Sequence, residues 1–341
     1  MCVGAGWVTT HRHIPAMRAT GRYEIAAIVD RRGERACAAA TALDVPSALE
    51  SDSFADLPDV ADVDVVTCGT APFTHFDVVG AALRAGKHVI TDKPFTMTLD
   101  QGQELAALAA STDRQLAIVH NFQFARSVLR VDKWRERGRL GELHAIWALQ
   151  LSNPDRRLPT WIDQLPLGLF YDESPHLLYL IRHFAGADPE LESATVVPSG
   201  CASATPAQLT AQYGAPLPIT LAMNFEAPLS EWQVVLLGSR GAAIVDIFRD
   251  IAIFVPPDQA HRTFDVARTS IRAGWGHLTG YARSGPDHVR GRLRYGNDEV
   301  FRRFADAVQH SRRAEGISVF DALAVLRAQH DLIRCASGKE G

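Results

Sequence analysis

The run Cys2-Val3-Gly4-Ala5-Gly6 constrains this chain more than any other part of it. Two glycines one residue apart, directly behind a short apolar segment, make a tight turn, and a helix-compatible run then extends to about Ala19. The apolar strand Ile25-Ala26-Ala27-Ile28-Val29 follows and ends on Asp30. A strand, a glycine turn, a helix and a second strand tipped by a carboxylate make up most of a βαβ unit. In such a unit Gly4 permits the turn, and Gly6 removes a side chain where the backbone approaches a pyrophosphate. The helix N-terminus, opened here by Trp7 and Val8, offers unpaired N–H groups and partial positive charge to that anion. Asp30 stands where an acidic group accepts hydrogen bonds from adenosine ribose hydroxyls. Thr9 occupies the place of the usual third glycine. Trp7 either packs on the cofactor or lids the core.

Strand and helix signals continue in alternation. Residues 63–68, 88–91 and 116–120 read as strands, and 76–85 and 100–110 as helices. Continuous apolar strands between amphipathic helices predict a parallel sheet covered on both faces. Only three residues precede Gly4, where a strand of this kind has about five or six. The expectation is a trimmed first strand or a start site placed too far downstream.

From about Asn121 the pattern changes to longer strands at 144–151, 219–225, 232–237 and 242–248. Ile219 to Phe225 alternates between apolar and small or polar residues, the period of a strand with two unlike faces. This predicts an open sheet with helices on one face. At 341 residues the chain should hold two domains, since one domain takes roughly 100–200 residues. The expected fold class is an α/β, Rossmann-type doubly wound parallel sheet over 1–120. An α+β domain with a large, mostly antiparallel open sheet should follow over 121–341, with a last helix over about 297–336. The stretch 193–225 carries no charge, but its prolines and hydroxyl and amide side chains make it strands and turns, not a membrane span. The segment 265–296 is arginine-rich and reads as a solvated or subunit-contact surface, or as a phosphate site.

A formal net charge of −4 gives no electrostatic reason to expect a nucleic-acid partner. The five cysteines, Cys2, Cys37, Cys68, Cys201 and Cys335, include no CxxC pair and suggest a reducing, cytoplasmic setting. No apolar secretory leader is expected, because the glycine turn arrives at once. His11 and His13 have no acidic or cysteine partner at ligand spacing, so no metal is expected.

Several further motifs fall in a fixed order. Thr70-Ala71-Pro72-Phe73-Thr74-His75 precedes Ala85-Gly86-Lys87-His88-Val89 and Asp92-Lys93-Pro94. Asn121-Phe122-Gln123-Phe124, the run Asp172 to His176, and Gly238-Ser239-Arg240-Gly241 come later. In this the chain resembles the glucose–fructose oxidoreductase and inositol dehydrogenase family (Gfo/Idh/MocA). These segments look like its T-P-x-x-x-H loop, A-G-K-H-V strand entry, E-K-P signature, N-Y-R-F crossover and D-x-G-x-H element. Asp92 replaces the glutamate, Gln123 the arginine, Ser174 and Pro175 the small pair before the histidine, and Tyr179 a second aspartate.

The resemblance implies a nicotinamide cofactor, NAD or NADP, held by Gly4, Gly6, Trp7, Val8, Asp30, Arg31, Thr70, Ala71, Pro72, His75, Asp92, Lys93 and Asn121. Asp30 favours NAD, whereas Arg31 and Arg32 suit the 2′-phosphate of NADP. It also implies a sugar-like substrate contacted by Lys93, Gln123, Asp172, His176 and Tyr179, and a homodimer or homotetramer paired through the C-terminal sheet. Tyr179 is equally readable as a core aromatic, and His75 as the start of the next helix.

Oxidising a secondary alcohol needs a group that removes the hydroxyl proton and a donor that steadies the developing oxyanion. His176 is the candidate acid–base and Lys93 the candidate for the reacting oxygen. Asp172 holds a substrate hydroxyl, orients the imidazole, or caps a helix over 175–184. An equally sound mechanism makes Lys93 the proton carrier. Two rival functions remain open: a redox-neutral, NAD-dependent glycoside-cleaving enzyme, and a non-catalytic dinucleotide sensor.

Overall fold

Short apolar runs that end on glycine or aspartate lie side by side in the computed structural model, which describes residues 1–57, 62–200, 203–258, 260 and 262–337. Cys201 and its neighbour in the charge-free stretch fall outside the described residues. The chain divides into two units: Met1–Asn121 with Asn297–Arg327, and Phe122–Gly296 with Ala328–Gly341.

In the first unit β1 (Cys2–Val3), β2 (Ala27–Asp30), β3 (Ser47–Glu50), β4 (Val65–Cys68), β5 (His88–Thr91) and β6 (Leu116–Ile118) form one sheet. Its order is β3-β2-β1-β4-β5-β6, with every pair parallel. The crossovers carry α1 (Ile14–Thr20), α2 (Gly33–Ala42), α3 (His75–Arg84) and α4 (Leu99–Ser111). Neighbouring residues such as Ile28 and Val29, or Val89 and Ile90, are both buried, so both faces of the sheet are covered. β1 has only two residues, and the Thr67 N–H bond to the Met1 carbonyl (3.0 Å) continues its ladder with β4. The run after the glycine turn is not uniform α-helix. Thr9–His13 forms a π-helical turn before α1, where Pro15 has no N–H for the ordinary ladder.

The second unit holds α5 (Arg126–Glu136), β7 (Leu143–Leu151), α6 (Leu169–Ala185), β8 (Glu190–Val197), β9 (Gln208–Ala215), β10 (Ile219–Asn224), β11 (Glu231–Gly238), β12 (Gly241–Asp246), β13 (Ile251–Val255) and α7 (Thr263–Val289). Its seven strands run β13-β12-β11-β7-β10-β9-β8, antiparallel except for the β7–β10 pair. Ile146, Ala148, Leu221, Met223, Val234 and Leu236 are buried on one face, while their alternate neighbours stay partly exposed. Helices do not keep to one face, contrary to expectation. Phe254 meets Trp134 of α5, whereas Gly276 and Gly280 of α7 close on Ile253 and Ile251, which point the other way from the same strand.

The expected last helix over 297–336 is two helices, α8 (Asn297–His310) and α9 (Val319–Ala336). Ser311 and Gly316 take left-handed backbone conformations between them. Ser318 then caps α9 reciprocally with Asp321: the Ser318 N–H and hydroxyl donate to the carboxylate (3.2 and 2.6 Å), and the Asp321 N–H donates to Ser318 Oγ (3.3 Å). Residues 297–327 group with the first unit, whereas the sequence places them in the second domain. The reason is local. Tyr23 donates to the Phe301 carbonyl (2.6 Å), Arg22 pairs with Asp306, and Ile118 N–H donates to the Ile317 carbonyl (2.8 Å) beside β6. Among the described residues no helix is long and apolar enough to cross a membrane.

Candidate active site

The first unit gathers its chemistry at the carboxyl ends of its strands. β1 and β4 are neighbours whose chains leave toward opposite sides of the sheet, the crevice where open parallel sheets bind ligands. Gly4 has φ +91°, and a Cβ there would sit 2.8 Å from the Gly69 carbonyl oxygen, so the loops after β1 and β4 touch only because residue 4 is glycine. A Cβ on Gly69 would lie 2.3 Å from Thr9 Oγ1. Thr9 is tolerated in place of the third glycine because the missing side chain is on the opposite partner of that contact. At Gly6 an added Cβ would meet nothing nearer than 3.6 Å, which leaves backbone open to an anion. These residues fit a dinucleotide pyrophosphate.

Asp30 ends β2 and is nearly buried. Its carboxylate accepts the Ala5 N–H (2.9 Å) and the Arg32 N–H (3.0 Å). It therefore shapes the glycine loop, and each oxygen has a further lone pair for a ribose hydroxyl. Arg31 and Arg32 are exposed. The arginine that reaches the loop is Arg35, whose guanidinium donates to the Ala5 carbonyl (3.3 Å) and lies 4.0 Å from Asp30. Sequence reading passed over it because it lies within α2. Trp7 is half-exposed, stacked on His11 and covered by the Arg12 guanidinium, so it does not lid the core.

Thr70, Ala71 and Pro72 follow β4. Thr74 Oγ1 donates to Thr70 Oγ1 (2.8 Å) and pins this loop. His75 both begins α3 and is fully buried. Its Nδ1 lies 2.8 Å from the Pro94 carbonyl and its Nε2 3.3 Å from the Thr70 carbonyl, so the ring ties the loop after β4 to the one after β5. Burial pulls its pKa down, outweighing Asp92 and the carbonyls that favour the cation.

Asp92 and Lys93 follow β5, and the Lys93–Pro94 peptide is cis. Behind them stands His13, completely buried, with Nε2 3.7 Å from the Asp92 carboxylate. Burial pushes the Asp92 carboxyl up, but His13, Lys93 and His75 together hold it below its usual range. Spacing had hidden the acidic neighbour of His13, which comes from a distant strand end. Among the described residues no cluster of His, Cys, Asp and Glu is arranged to hold a metal. Asn121 is buried at the end of this unit.

In the second unit α6 begins at Leu169, so Asp172 lies in its first turn and is not the cap of a helix starting at Pro175. The helix continues through Pro175 because of Gln329. Pro175 cannot donate to the Tyr171 carbonyl, and buried Gln329 Nε2 does so instead (2.6 Å) while also donating to Ser174 Oγ (2.9 Å).

One turn beyond Asp172, His176 stacks on Phe122 (4.3 Å between centroids) and meets Trp232 edge-on (5.2 Å). Its Nδ1 lies 2.7 Å from the Tyr179 hydroxyl, which accepts the Phe122 N–H (3.0 Å). Tyr179 is thus a buried residue that orients His176. Gln123 is buried in the short turn next to Phe122. Sequence reading missed a buried polar group that α6 shares with β7. Glu173 is buried and bonded to Gln150 and Arg156, with Ser152 Oγ at 3.4 Å. The signal was Gln150, a polar residue on the inward face of β7 between Ala148 and Ser152.

A β3-β2-β1-β4-β5-β6 parallel sheet with a Gly-Ala-Gly turn at its switch point defines a Rossmann-type dinucleotide-binding unit, here followed by a mixed-sheet unit. Residues 1–120 match the model of the oxidoreductase family with an NAD-binding Rossmann fold, Gfo/Idh/MocA. Over this region the chain is similar to that family. It is 34% identical over 185 residues to the uncharacterized oxidoreductase YdgJ of Escherichia coli (strain K12), covering 52% of this chain and 50% of that protein. It is 31% identical over 190 residues to 1,5-anhydro-D-fructose reductase of Ensifer adhaerens, covering 55% and 56%. The chain thus spans about half the length of these relatives. The fold also matches the crystal structure of GenD2 from gentamicin A biosynthesis in complex with NAD, with a TM-score of 0.77 at 18% identity, over 99% of this chain and 94% of that one.

Proposed function

We propose that the protein is an NAD-dependent dehydrogenase or reductase acting on a hydroxyl or ketone carbon of a sugar, nucleotide-sugar, cyclitol or related polyol. The observation that carries this reading is the strand-end arrangement of the first unit. Gly4, Gly6 and Asp30 flank the switch point, and Asp92-Lys93-Pro94 ends the next strand but one. The substrate class rests on the 1,5-anhydro-D-fructose reductase relative and on the motif resemblance.

Bound NAD would accept or return the hydride, which no side chain can do. The backbone at Gly6 and the following helix N-terminus hold its pyrophosphate, and Asp30 its ribose diol. The Lys93 ammonium binds the reacting oxygen and steadies negative charge on it. His176, fixed through Nδ1 by Tyr179 and between Phe122 and Trp232 by stacking, takes the hydroxyl proton at Nε2 and returns it in the reverse direction. Asp172 accepts a neighbouring substrate hydroxyl.

The test is a panel of polyols, cyclitols and nucleotide sugars offered with NAD or NADP while nicotinamide absorbance is followed. At least one compound should drive a cofactor-dependent change. In that assay His176→Ala should lose about 100-fold or more, the scale of a positioned acid–base group. Cofactor binding without turnover on any compound contradicts the reading.

A further inference from the structure

Two neighbouring strands of the first unit both end on a carboxylate. β2 and β3 are parallel and in register, so Asp30 and Glu50 are direct partners across the ladder, and paired residues on adjacent strands send their side chains to the same face. The two side chains then take different courses. Asp30 turns inward to the Ala5 and Arg32 N–H groups (2.9 and 3.0 Å). Glu50 is exposed and lies across Gly33, the first residue of α2. A Cβ on Gly33 would collide with Glu50 Oε2 and would stand only 3.1 and 3.3 Å from Glu50 Cδ and Cβ. The glutamate thus follows the backbone at residue 33, and the glycine is what admits it there.

This place bears on the cofactor. Asp30 is set to accept the ribose diol of NAD. NADP carries a phosphate on one oxygen of that diol, which an arginine near the strand end commonly accommodates. Strand ends in a sheet are about 4.8 Å apart, so a phosphate at the tip of β2 also stands beside the tip of β3. Arg31 and Arg32 lead from β2 into Gly33 and are exposed, and by charge alone they suit the phosphate. Arg35 is already turned to the Ala5 carbonyl (3.3 Å), with Asp30 at 4.0 Å. Glu50 brings a negative charge to the same turn.

We propose that Glu50 is a second determinant of cofactor choice: its carboxylate, laid over Gly33, fills and charges the space that the 2′-phosphate of NADP would enter. It offsets Arg31 and Arg32 and leaves NAD, which has only a hydroxyl there, undisturbed. Selectivity of this kind is built by repelling the wrong ligand and adds no contact to the right one. A phosphate monoester carries nearly two negative charges at neutral pH, and charges a few ångströms apart near a protein surface interact strongly enough to change affinity tenfold. Solvent and salt weaken the effect of an exposed carboxylate, so its removal should change NADPH affinity by about five- to tenfold.

The inference rests on the NAD reading of the first unit. The test is a fluorescence titration of the full chain with NADH and with NADPH, at about 0.05 M and about 0.5 M salt, on the wild type, Glu50→Gln and Glu50→Lys. Glu50→Gln keeps the shape of the side chain and removes its charge. It should tighten NADPH by about five- to tenfold at the lower salt, and Glu50→Lys should tighten it further. The gain should shrink at the higher salt, and NADH affinity should stay within about twofold throughout, which also reports that the unit is folded. Unchanged NADPH affinity in both variants, beside normal NADH binding, overturns the inference alone. So does a change of the same size for both cofactors, which would make Glu50 a support of the loop and not a discriminator. A wild type that binds neither cofactor overturns the dinucleotide reading and the inference together.

Discussion

The hydroxyl of Tyr179 lies 2.7 Å from His176 Nδ1 and accepts the Phe122 N–H at 3.0 Å, so one phenol fixes both the imidazole and the chain that stacks on it. Tyr179→Phe keeps the ring and deletes both bonds. Losing the acceptor for a buried N–H costs about 1–3 kcal/mol, and turnover should fall by roughly tenfold, well short of the ~100-fold expected for His176→Ala. Thermal unfolding and steady-state rates measured on the same preparations check this. Unchanged turnover in Tyr179→Phe would reduce the residue to a core aromatic.

Lys93 follows β5 directly beside Asp92, whose carboxyl is held charged. Lys93→Met should lower turnover by about 100-fold or more while cofactor affinity changes little, because in the proposed mechanism the lost contact is to the reacting oxygen. Near-normal rates in this variant remove Lys93 from the chemistry. A loss seen only in cofactor affinity makes it a binding residue.

His75 gives the first unit a pH dependence. Burial lowers its folded-state pKa below the ordinary 6.5. Its contribution to stability is therefore complete above the unfolded value and is lost as pH falls below it, where the unfolded chain takes up the proton first. His88 and His330 are lowered as well, by burial foremost, and act in the same direction. Urea denaturation should show stability dropping from pH 7 toward pH 5, each such histidine adding up to about 1.4 kcal/mol per pH unit. In His75→Gln the slope should be shallower. An unchanged slope would mean that His75 does not titrate in this way.

Gln329 replaces the hydrogen bond that Pro175 cannot make. Gln329→Leu leaves the Tyr171 carbonyl buried without that donor and should cost about 1–3 kcal/mol. The damage falls on the turn of α6 just before His176, so activity should fall along with the denaturation midpoint. Full stability in this variant would show that α6 does not depend on the amide.

What the sequence disclosed and what it hid follow from the range of the interactions. Strand β5 is legible to the residue, since the short run His88–Thr91 between Lys87 and Asp92 centres on two adjacent apolar residues, Val89 and Ile90, both buried. The glycine turn is legible because only glycine takes the backbone of residue 4. The start of α6 was misread at Pro175, because its repair by Gln329 comes from a helix far along the chain. The break before α9 was announced locally by Ser318-x-x-Asp321, a capping pattern lost inside an otherwise helical run. The His13–Asp92 approach was not legible, since it joins residues from separate elements, and the Glu173 group left only Gln150 as a local signal.

The most direct test of the account is a fluorescence titration of the purified chain with NADH and with NADPH, repeated on Asp30→Ala. The account predicts saturable binding in the micromolar range, tighter for NADH, with Asp30→Ala weakening NADH more than NADPH, because the lost carboxylate serves the ribose diol and repels a 2′-phosphate. No saturable binding of either cofactor to the wild-type chain would contradict it.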